Sequence, residues 1–314
     1  MTQFRITLAD LRERQKWPLN QKIDHTCGAI EAFINYCKEH DRTPYVSFSG
    51  GLNSTVLLEL ARRFIDHNML GVFDNTGNEY PEIIRFVKQT PNIVIIRPQM
   101  TPRQVLERYG FPLVSKEQSQ GIYQVRHSKS ERTRQRRLEG GKVRSATIAQ
   151  KWRYLIAEPY EVSPLCCDML KKRPFHRYDR ETQSLGMVGT MTEESDLRQV
   201  QYLRRGGCNS FSEDVSKSKG FPLSVWLEED CWNYIRKMNV PYSPIYDVPG
   251  IRRTGCMFCG FGAQFKSDRR YRILYDRYPT IYRHVLNYTN NGYTLGYALR
   301  RMGLELPDEC PTLF

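Results

Sequence analysis

Four cysteines stand in two close pairs whose spacing suits the binding of a metal or a cluster. Cys166 and Cys167 are adjacent, and Cys256 and Cys259 form a C-x-x-C pair much later in the chain. Four thiolates are the usual ligand set of a [4Fe–4S] cluster, and the same set suits a tetrahedral zinc ion. Adjacent cysteines chelate poorly as an independent half-site, so the fold must place the second pair opposite the first. Four reduced thiols without a metal remain the third alternative.

Three cations, Lys171, Lys172 and Arg173, follow the first cysteine pair. Lysines beside a thiolate favour its charged form. The segment is therefore a candidate for bringing positive charge to a cluster or to a bound phosphate, with Lys171 as the candidate catalytic cation. Ordinary surface positions on a short helix are the alternative.

A second candidate site is the loop from Ser49 to Ser54, which joins a short strand to a helix. Ligands of a parallel sheet bind at the carboxyl ends of its strands, where helix N-termini point free N–H groups outward. Gly50 and Gly51 let the backbone approach an anion closely, and hydroxyls for phosphate oxygens come from Ser49, Ser54 and Thr55. The G-x-x-x-x-G-K-[ST] pattern is absent, so this is not a Walker loop. A simple tight turn is the alternative.

Strands and helices alternate around this loop. The spacing predicts an amphipathic helix around 23–37, strands at 45–48, 70–73, 92–96 and 185–188, and helices that begin near Pro81 and Pro102. The β-branched run 92–96 indicates a buried strand, and further helices are expected over 223–238 and from 268 through 286. The predicted fold is α/β, a parallel twisted sheet flanked by helices and Rossmann-like, with an N-terminal helix and a mainly helical C-terminal extension. The expected domains are 1–40, 41–250 and 251–314.

Composition limits the class of protein. The chain has 314 residues with 40% hydrophobic and 26% charged residues, as in globular enzymes. No run approaches the roughly 20 apolar residues of a membrane span, and the start lacks the plan of a signal peptide, so no membrane partner and a cytoplasmic location are expected. Nine cysteines in such a chain argue against a disulfide framework.

The net charge of +13 favours polyanionic partners. Cations concentrate in a basic arm at 126–145. Such a run is either a solvated surface loop or an arm that tracks the phosphates of DNA or RNA.

Five segments carry a family resemblance, and together they cover roughly residues 44–285. They are 46–58, 75–82, 109–117, 189–198 and 253–259. The first resembles the S-G-G-x-D-S loop of the PP-loop ATP pyrophosphatase superfamily, and the others resemble its phosphoadenosine phosphosulfate reductase branch. The four cysteines resemble the [4Fe–4S] pattern of adenylyl sulfate reductases.

The resemblance implies a site for ATP or an adenylyl sulfate. The phosphates would lie on the loop, and the implied binding residues are Ser47, Ser49, Gly50, Gly51, Asn53, Ser54, Thr55, Asn75, Thr76, Gly77, Gly189, Glu194, Ser195 and Arg198. For Ser195 and Arg198, a helix cap and a surface cation are the alternative. A thiol or a sulfur-donor protein is a further expected partner.

The sequence departs from the family pattern at three positions. Asn53 replaces the usual aspartate, and an amide cannot give Mg²⁺ a negative ligand, which leaves its catalytic role open. Met191 occupies the place of an arginine suited to phosphate or sulfate. Cys310 matches only the Glu-Cys part of the reductase tail; it is either a nucleophile or an incidental cysteine.

The motifs and the three departures leave three possible functions. The first is an ATP-using, cluster-containing enzyme that transfers sulfur to, or modifies, a nucleic acid, because the loop keeps Ser-Gly-Gly-x-x-Ser. The second is an adenylyl sulfate or phosphoadenylyl sulfate reductase that forms sulfite. The third is a catalytically decayed protein that binds a nucleotide or a nucleic acid.

Overall fold

The computed structural model describes residues 6–140 and 147–307. The regular elements in chain order are α1 (Leu8–Gln15), α2 (Leu19–Glu39), β1 (Thr43–Ser47), α3 (Leu52–Phe64), β2 (Gly71–Asp74), α4 (Pro81–Gln89), β3 (Ile93–Ile96), α5 (Pro102–Tyr109), β4 (Leu113–Val114), α6 (Lys116–His127), α7 (Glu131–Glu139), α8 (Leu165–Cys167), α9 (Arg173–Thr182), β5 (Ser184–Val188), α10 (Asp196–Arg205), β6 (Asn209–Ser210), β7 (Lys219–Gly220), α11 (Glu228–Met238), β8 (Gly260–Phe261), α12 (Arg270–Arg277), α13 (Pro279–Leu286), β9 (Thr289–Asn290), β10 (Tyr293–Thr294) and α14 (Leu295–Arg301). Cys310 and positions 141–145 of the basic arm lie outside the described residues.

The chain divides into two compact units. The sheet unit comprises the described residues of Met1–Asn75, Pro81–Ile96 and Phe175–Asp247. The cysteine unit comprises those of Thr76–Tyr80, Arg97–Pro174 and Val248–Phe314. The domain boundaries near 40 and 250 that the sequence suggested stay a prediction.

A six-stranded sheet organises the sheet unit, with strand order β3-β2-β1-β5-β7-β6. All neighbours run parallel except β6 and β7. The chain adds strands on one side of β1 and then crosses to its other side, so the order reverses between β1 and β5. Ligands of such sheets bind at the carboxyl ends of the strands where the order reverses. The expected α/β fold is confirmed.

Helices cover this sheet with apolar faces. The longest, α2, buries Ile30, Phe33 and Cys37 completely, as the helical spacing of these residues predicts. Among the described residues, no helix is long and apolar enough to cross a membrane.

Three sequence expectations need correction. The strand β3 was expected to be buried, but it is the edge strand of the sheet, and its Val94 and Ile95 are 38% and 43% exposed. The helix expected over 223–238 begins only at Glu228, since residues 222–225 form turns and the N-cap Leu227 has an extended backbone. The helix expected from 268 through 286 is two helices, α12 and α13, separated at Tyr278 where Pro279 starts the second.

The cysteine unit is mainly helical and contains two small strand pairs. The strands β4 and β8 pair in parallel, with Leu113 opposite Gly260. The strands β9 and β10 form a hairpin whose turn is Asn291-Gly292, and both turn residues have positive φ (49° and 83°). This backbone suits the right-handed twist of a two-residue hairpin. The described part of the C-terminal extension contains the helices α12, α13 and α14 besides these short strands. The expected helical character of this extension is confirmed for the described residues.

Candidate nucleotide site and four-cysteine site

The glycine loop leaves β1 at the point where the strand order reverses. Its hydroxyls bond to the loop itself: the Ser49 N–H donates to Ser54 Oγ at 3.1 Å, and the two serine Oγ atoms lie 3.0 Å apart. The Thr55 hydroxyl donates to the Gly51 carbonyl at 3.0 Å. Gly50 has a φ of +68°, a region that favours glycine. The loop is therefore a compact turn that holds its hydroxyls at the N-terminus of α3.

A second loop, which follows β5, approaches the first turn of α3 at Gly189. A Cβ atom on Gly189 would lie 2.9 Å from the Asn53 carbonyl oxygen and 3.1 Å from the Ser54 nitrogen. Only glycine fits this approach without a shift of the backbone. The structure thus brings the predicted residues after β1 and after β5 together at one end of the sheet.

Asn53 and Glu194 connect these two loops. The Asn53 Nδ2 donates to Glu194 Oε1 at 3.0 Å, and Glu194 also forms an ion pair with Arg198. The family motif has an aspartate at position 53. In this chain the Asn53 amide instead donates a hydrogen bond to the carboxylate of Glu194. The arrangement positions an amide, a carboxylate and a guanidinium beside the glycine loop.

Ser195 performs the capping role that the sequence offered as an alternative. It is the N-cap of α10, and its side chain accepts from the Arg198 N–H. Met191, at the place of the family's arginine, is buried, with its sulfur 3.8 Å from the thiol of Cys231. Position 191 therefore contributes to the core of the sheet unit and presents no charge to a ligand.

Sequence reasoning missed Tyr246, which contacts the start of α3 beside the glycine loop. Its hydroxyl accepts from the Leu52 N–H at 2.8 Å, which satisfies one of the free donors at the start of α3. No local signal marks this tyrosine, since it reaches the loop from a distant part of the chain.

The remaining predicted binding residues divide between the units. Ser47 ends β1 and Asn75 follows β2, and the Asn75 N–H donates to the Ile96 carbonyl at 2.9 Å. Thr76 and Gly77 belong to the cysteine unit. There the Thr76 hydroxyl donates to Glu79 Oε1 at 2.5 Å.

All four clustered cysteines lie in the cysteine unit and face one another. Cys166 is buried, and Cys167, Cys256 and Cys259 are partly exposed. The negative charge of each pair acts on the other pair. Cys256 and Cys259 raise the pKa of Cys166, and Cys167 raises the pKa of Cys259. The two pairs are therefore close enough to interact electrostatically, and their role as a joint ligand set stays a prediction.

The adjacent thiols shift each other's pKa in opposite directions. A hydrogen bond between them raises the pKa of Cys166 and lowers that of Cys167 to about 6. Positive charge from Lys116, Lys171 and Lys172 lowers the pKa of Cys167 further. Burial raises the pKa of Cys259 to about 11. Lys116 was missed as a site residue, although it lies in one of the segments that carry the family resemblance.

Lys171 lies next to the thiols while remaining exposed to solvent. Its pKa is raised, chiefly by the negative charge of Cys256, then by Cys167 and a hydrogen bond to Cys256, and also by Glu79. The Glu79 carboxylate is in turn held by the Asn78 N–H at 3.2 Å. Lys171 is therefore fully charged at neutral pH and directed at sulfur.

A π-helical turn at Asp168–Lys172 aims this lysine. Pro174 follows two residues later, and in a regular α-helix its ring would clash with the carbonyl of Leu170. The wider turn, in which the Arg173 N–H donates to the Asp168 carbonyl, accommodates the proline. Such turns are rare and frequently mark functional sites.

Contacts from distant residues hold the C-x-x-C segment. The Met257 N–H donates to the Asn78 carbonyl at 3.2 Å, and the Tyr271 hydroxyl donates to the Phe258 carbonyl at 2.9 Å. Arg270 donates to the Cys259 carbonyl. These contacts fix the backbone around both sulfurs.

The donor set fits a cluster in kind and number, since four thiols belong to one unit and nearby cations offset the charge they would carry. The side chains are not in a ligating arrangement, however: among residues 6–140 and 147–307, no group of three or more His, Cys, Asp or Glu residues could hold a metal ion. The cluster and the zinc alternative stay predictions.

Comparison with known proteins identifies the family. A sequence profile described as the phosphoadenosine phosphosulfate reductase domain matches residues 43–260. This span includes β1, the glycine loop and all four clustered cysteines. The chain therefore belongs to the phosphoadenosine phosphosulfate reductase domain family, and the resemblance seen in the sequence is confirmed.

Individual relatives are more distant. An uncharacterized protein of Methanocaldococcus jannaschii is 26% identical over 256 residues, which cover 80% of this chain and 50% of that protein. An adenosine 5'-phosphosulfate reductase of Lysinibacillus sphaericus is 32% identical over 107 residues, which cover 33% of this chain and 42% of that protein. The chain thus spans half or less of the length of these curated relatives.

A solved structure is also similar to this chain. It is the phosphoadenylyl-sulfate reductase of Candida auris in a phosphate complex, with 14% identity and a TM-score of 0.42, and the match covers 80% of this chain and 96% of that one.

Proposed function

We propose that this protein is an iron–sulfur enzyme that binds ATP at the glycine loop and uses it to transfer sulfur to, or otherwise modify, a nucleic acid. The observation that carries the nucleotide part is the Gly189 approach to the first turn of α3. It places the loop after β5 directly on the glycine loop, at the reversal point of the sheet.

The loop suits phosphates through its backbone and its hydroxyls. The N-terminus of α3 offers free N–H groups and the positive end of the helix dipole. Ser49, Ser54 and Thr55 exchange their bonds within the loop for bonds to phosphate oxygens. Glu194 is the carboxylate beside the loop, and it would have to exchange its contacts with Asn53 and Arg198 to bind a Mg²⁺ ion that accompanies ATP.

ATP is favoured over a sulfonucleotide by what occupies position 191. A reductase would use an arginine there to bind the phosphosulfate group, whereas Met191 is buried in the core of the sheet unit. The loop also keeps both serines and both glycines of the ATP-cleaving pattern.

The cluster would be held by Cys166, Cys167, Cys256 and Cys259. When bound, it would supply one-electron chemistry or a site for sulfur. Lys171 would offset the negative charge of the sulfurs and of a substrate anion near them.

A second candidate function is reduction of an adenylyl sulfate to sulfite. The relatives named adenosine 5'-phosphosulfate reductases and the double-cysteine pattern favour it. The decayed-enzyme alternative is supported by Asn53 alone, which stands where the family motif has an aspartate.

Product analysis distinguishes these functions. Anaerobically purified protein is incubated with ATP and single-stranded or duplex nucleic acid, and in parallel with adenylyl sulfate and a thiol. We expect pyrophosphate or AMP from ATP and no sulfite. Sulfite formation would establish the reductase instead, and tight ATP binding without turnover in the presence of every acceptor would contradict the enzymatic proposal.

A further inference from the structure

The basic arm provides less surface for a polyanion than its composition suggests. Arg126 donates to four backbone carbonyls, those of Leu155, Ile156, Glu158 and Tyr160. Arg137 is buried and donates to the Gln124 side chain, and Arg134 is paired with Glu131. In the described part of the arm, the exposed cations are Lys129, Arg132 and Arg136. Much of this charge therefore stabilises the fold of the arm.

A different surface of the cysteine unit combines aromatic rings with cations. It consists of the 3₁₀ helix Gln150–Ile156 and of α14 with the strand before it, and we call it the aromatic surface. Its accessible rings are those of Trp152 and Tyr154, which are partly exposed, and Tyr297, which is 42% exposed. Lys151 is exposed, and its ammonium lies 5.1 Å from the centre of the Trp152 ring.

The rings are held by contacts among themselves and with one arginine. The Tyr154 hydroxyl donates to the Arg301 carbonyl at 2.8 Å, and the Arg301 guanidinium lies 5.6 Å from the centre of that ring. Arg301 is fixed in turn by Glu158, whose Oε1 accepts at 2.6 and 3.0 Å. The buried Tyr160 packs edge-on against Tyr297, with ring centres 6.2 Å apart. The exposed rings are therefore preorganised and lose little freedom when a planar ligand stacks on them.

We propose that the aromatic surface binds single-stranded nucleic acid, with bases stacked on Trp152 and Tyr297 and a phosphate held by Lys151. Aromatic rings interleaved with cations are the recurring device for unpaired strands, because every base has a face that can stack. The base faces of a duplex are already stacked, so a protein that binds a duplex needs only cations for its phosphates. This inference rests on the nucleic-acid acceptor of the proposed function and specifies it as an unpaired strand.

The test is binding of a labelled oligothymidylate of about 15 nucleotides, within the site sizes of stacking proteins, to the full chain by fluorescence anisotropy. Loss of one stacked base corresponds to about 5- to 150-fold in affinity, so we expect that loss in Trp152→Ala and in Tyr297→Ala. Tyr297→Phe keeps the ring and should bind like the natural protein. The matching duplex should bind more weakly than the single strand at the same salt concentration.

Salt dependence separates stacking from phosphate contacts. Each phosphate contact to a single strand contributes about 0.7 to the slope of log affinity against log salt. Lys151→Ala should therefore lower the slope by about 0.7, whereas Tyr297→Ala should leave it unchanged. Arg132→Ala/Arg136→Ala on the arm is the matched control, and it should retain the preference for single strands.

The outcomes also separate this inference from the proposed function. If the natural protein binds single strands and the ring variants bind equally well, the aromatic surface is not the binding site. The proposal of a nucleic-acid acceptor is then unaffected. If it prefers duplex, or if the arm variants lose more affinity than the ring variants, the inference is likewise overturned. If it binds no nucleic acid while ATP still binds, both the surface and the acceptor are overturned, and the nucleotide site remains.

Discussion

The glycine loop and the four-cysteine site are built in different ways. The loop is made of consecutive residues whose hydroxyls and amides bond to one another within six positions, from Ser49 to Ser54. The cysteine site joins two distant segments, and its electrostatics depend on Lys116, Lys171 and Glu79 from elsewhere in the chain. The loop itself can form as soon as β1 and α3 form, whereas its contacts with Gly189, Glu194 and Tyr246, like the cysteine site, need the rest of the unit folded.

The difference has a functional consequence. A change in the loop should affect nucleotide binding without removing the cluster, and a change in the cysteines should do the reverse. The variants below test this independence, from the largest expected effect to the smallest.

Removal of one clustered thiol should have the largest effect. Cys256→Ser should reduce bound iron in anaerobically purified protein to near zero, because a cluster needs its four thiolates. ATP affinity, measured by calorimetry, should remain within about twofold. Cys27→Ser in α2 is the matched control and should keep its iron. If Cys256→Ser retains a full cluster, the ligand assignment is wrong.

Loss of the lysine beside the sulfurs should come next. Lys171→Met should lower turnover by about 100-fold, the typical cost of removing one preorganised electrostatic group. Iron content and ATP affinity should be preserved, and Lys171→Arg should recover part of the activity because it restores the charge. Equal loss in Lys171→Met and Lys171→Arg, together with loss of iron, would indicate a structural role instead.

Closure of the gap at Gly189 should weaken nucleotide binding. In Gly189→Ala the new methyl group would meet the Asn53 carbonyl, and overpacking of this kind costs roughly 1–3 kcal/mol. We expect about a tenfold loss of ATP affinity with unchanged iron. Gly28→Ala in α2, where a Cβ would have open space, should bind ATP normally. If Gly189→Ala and Gly28→Ala bind ATP with equal affinity, the close approach of Gly189 to the glycine loop does not contribute to nucleotide binding.

A carboxylate at position 53 should make binding depend on Mg²⁺. Asn53→Asp would place two carboxylates within hydrogen-bonding distance at Glu194, which should reduce the free energy of unfolding by about 1 kcal/mol at neutral pH without metal. The deficit should vanish at low pH, where the new carboxyl is protonated. ATP turnover should rise with Mg²⁺; unchanged turnover would show that position 53 is not limiting.

The smallest effect is expected at Tyr246. Tyr246→Phe removes the acceptor of the Leu52 N–H, which typically costs about 1 kcal/mol of stability. Urea unfolding of the natural protein and the variant measures it. A shift in iron content would contradict the independence of the two sites.

The sequence predicted the sheet unit well because its signals are local. The glycines after β1, the proline at the start of α4 and the apolar spacing of α2 each act over a few residues. The edge position of β3 escaped prediction, because burial of a β-branched strand depends on which strands lie beside it. The run 92–96 contains no such information.

The candidate sites were predictable to different depths. The cysteine pairs could be named from their spacing, but the opposite pKa shifts of Cys166 and Cys167 and the approach of Lys116 depend on the folded unit. Tyr246 and Arg270 carry no motif at all. The internal use of Arg126 and Arg137 was also hidden, since composition counts charges without their partners.

Hydrogen–deuterium exchange with and without ATP tests the central claim most directly. The account predicts that ATP slows exchange at the amides of residues 49–55 and around Gly189, with little change at Cys166–Cys167 and Cys256–Cys259. Protection confined to the cysteine segments, or absent from the glycine loop at saturating ATP, would contradict it.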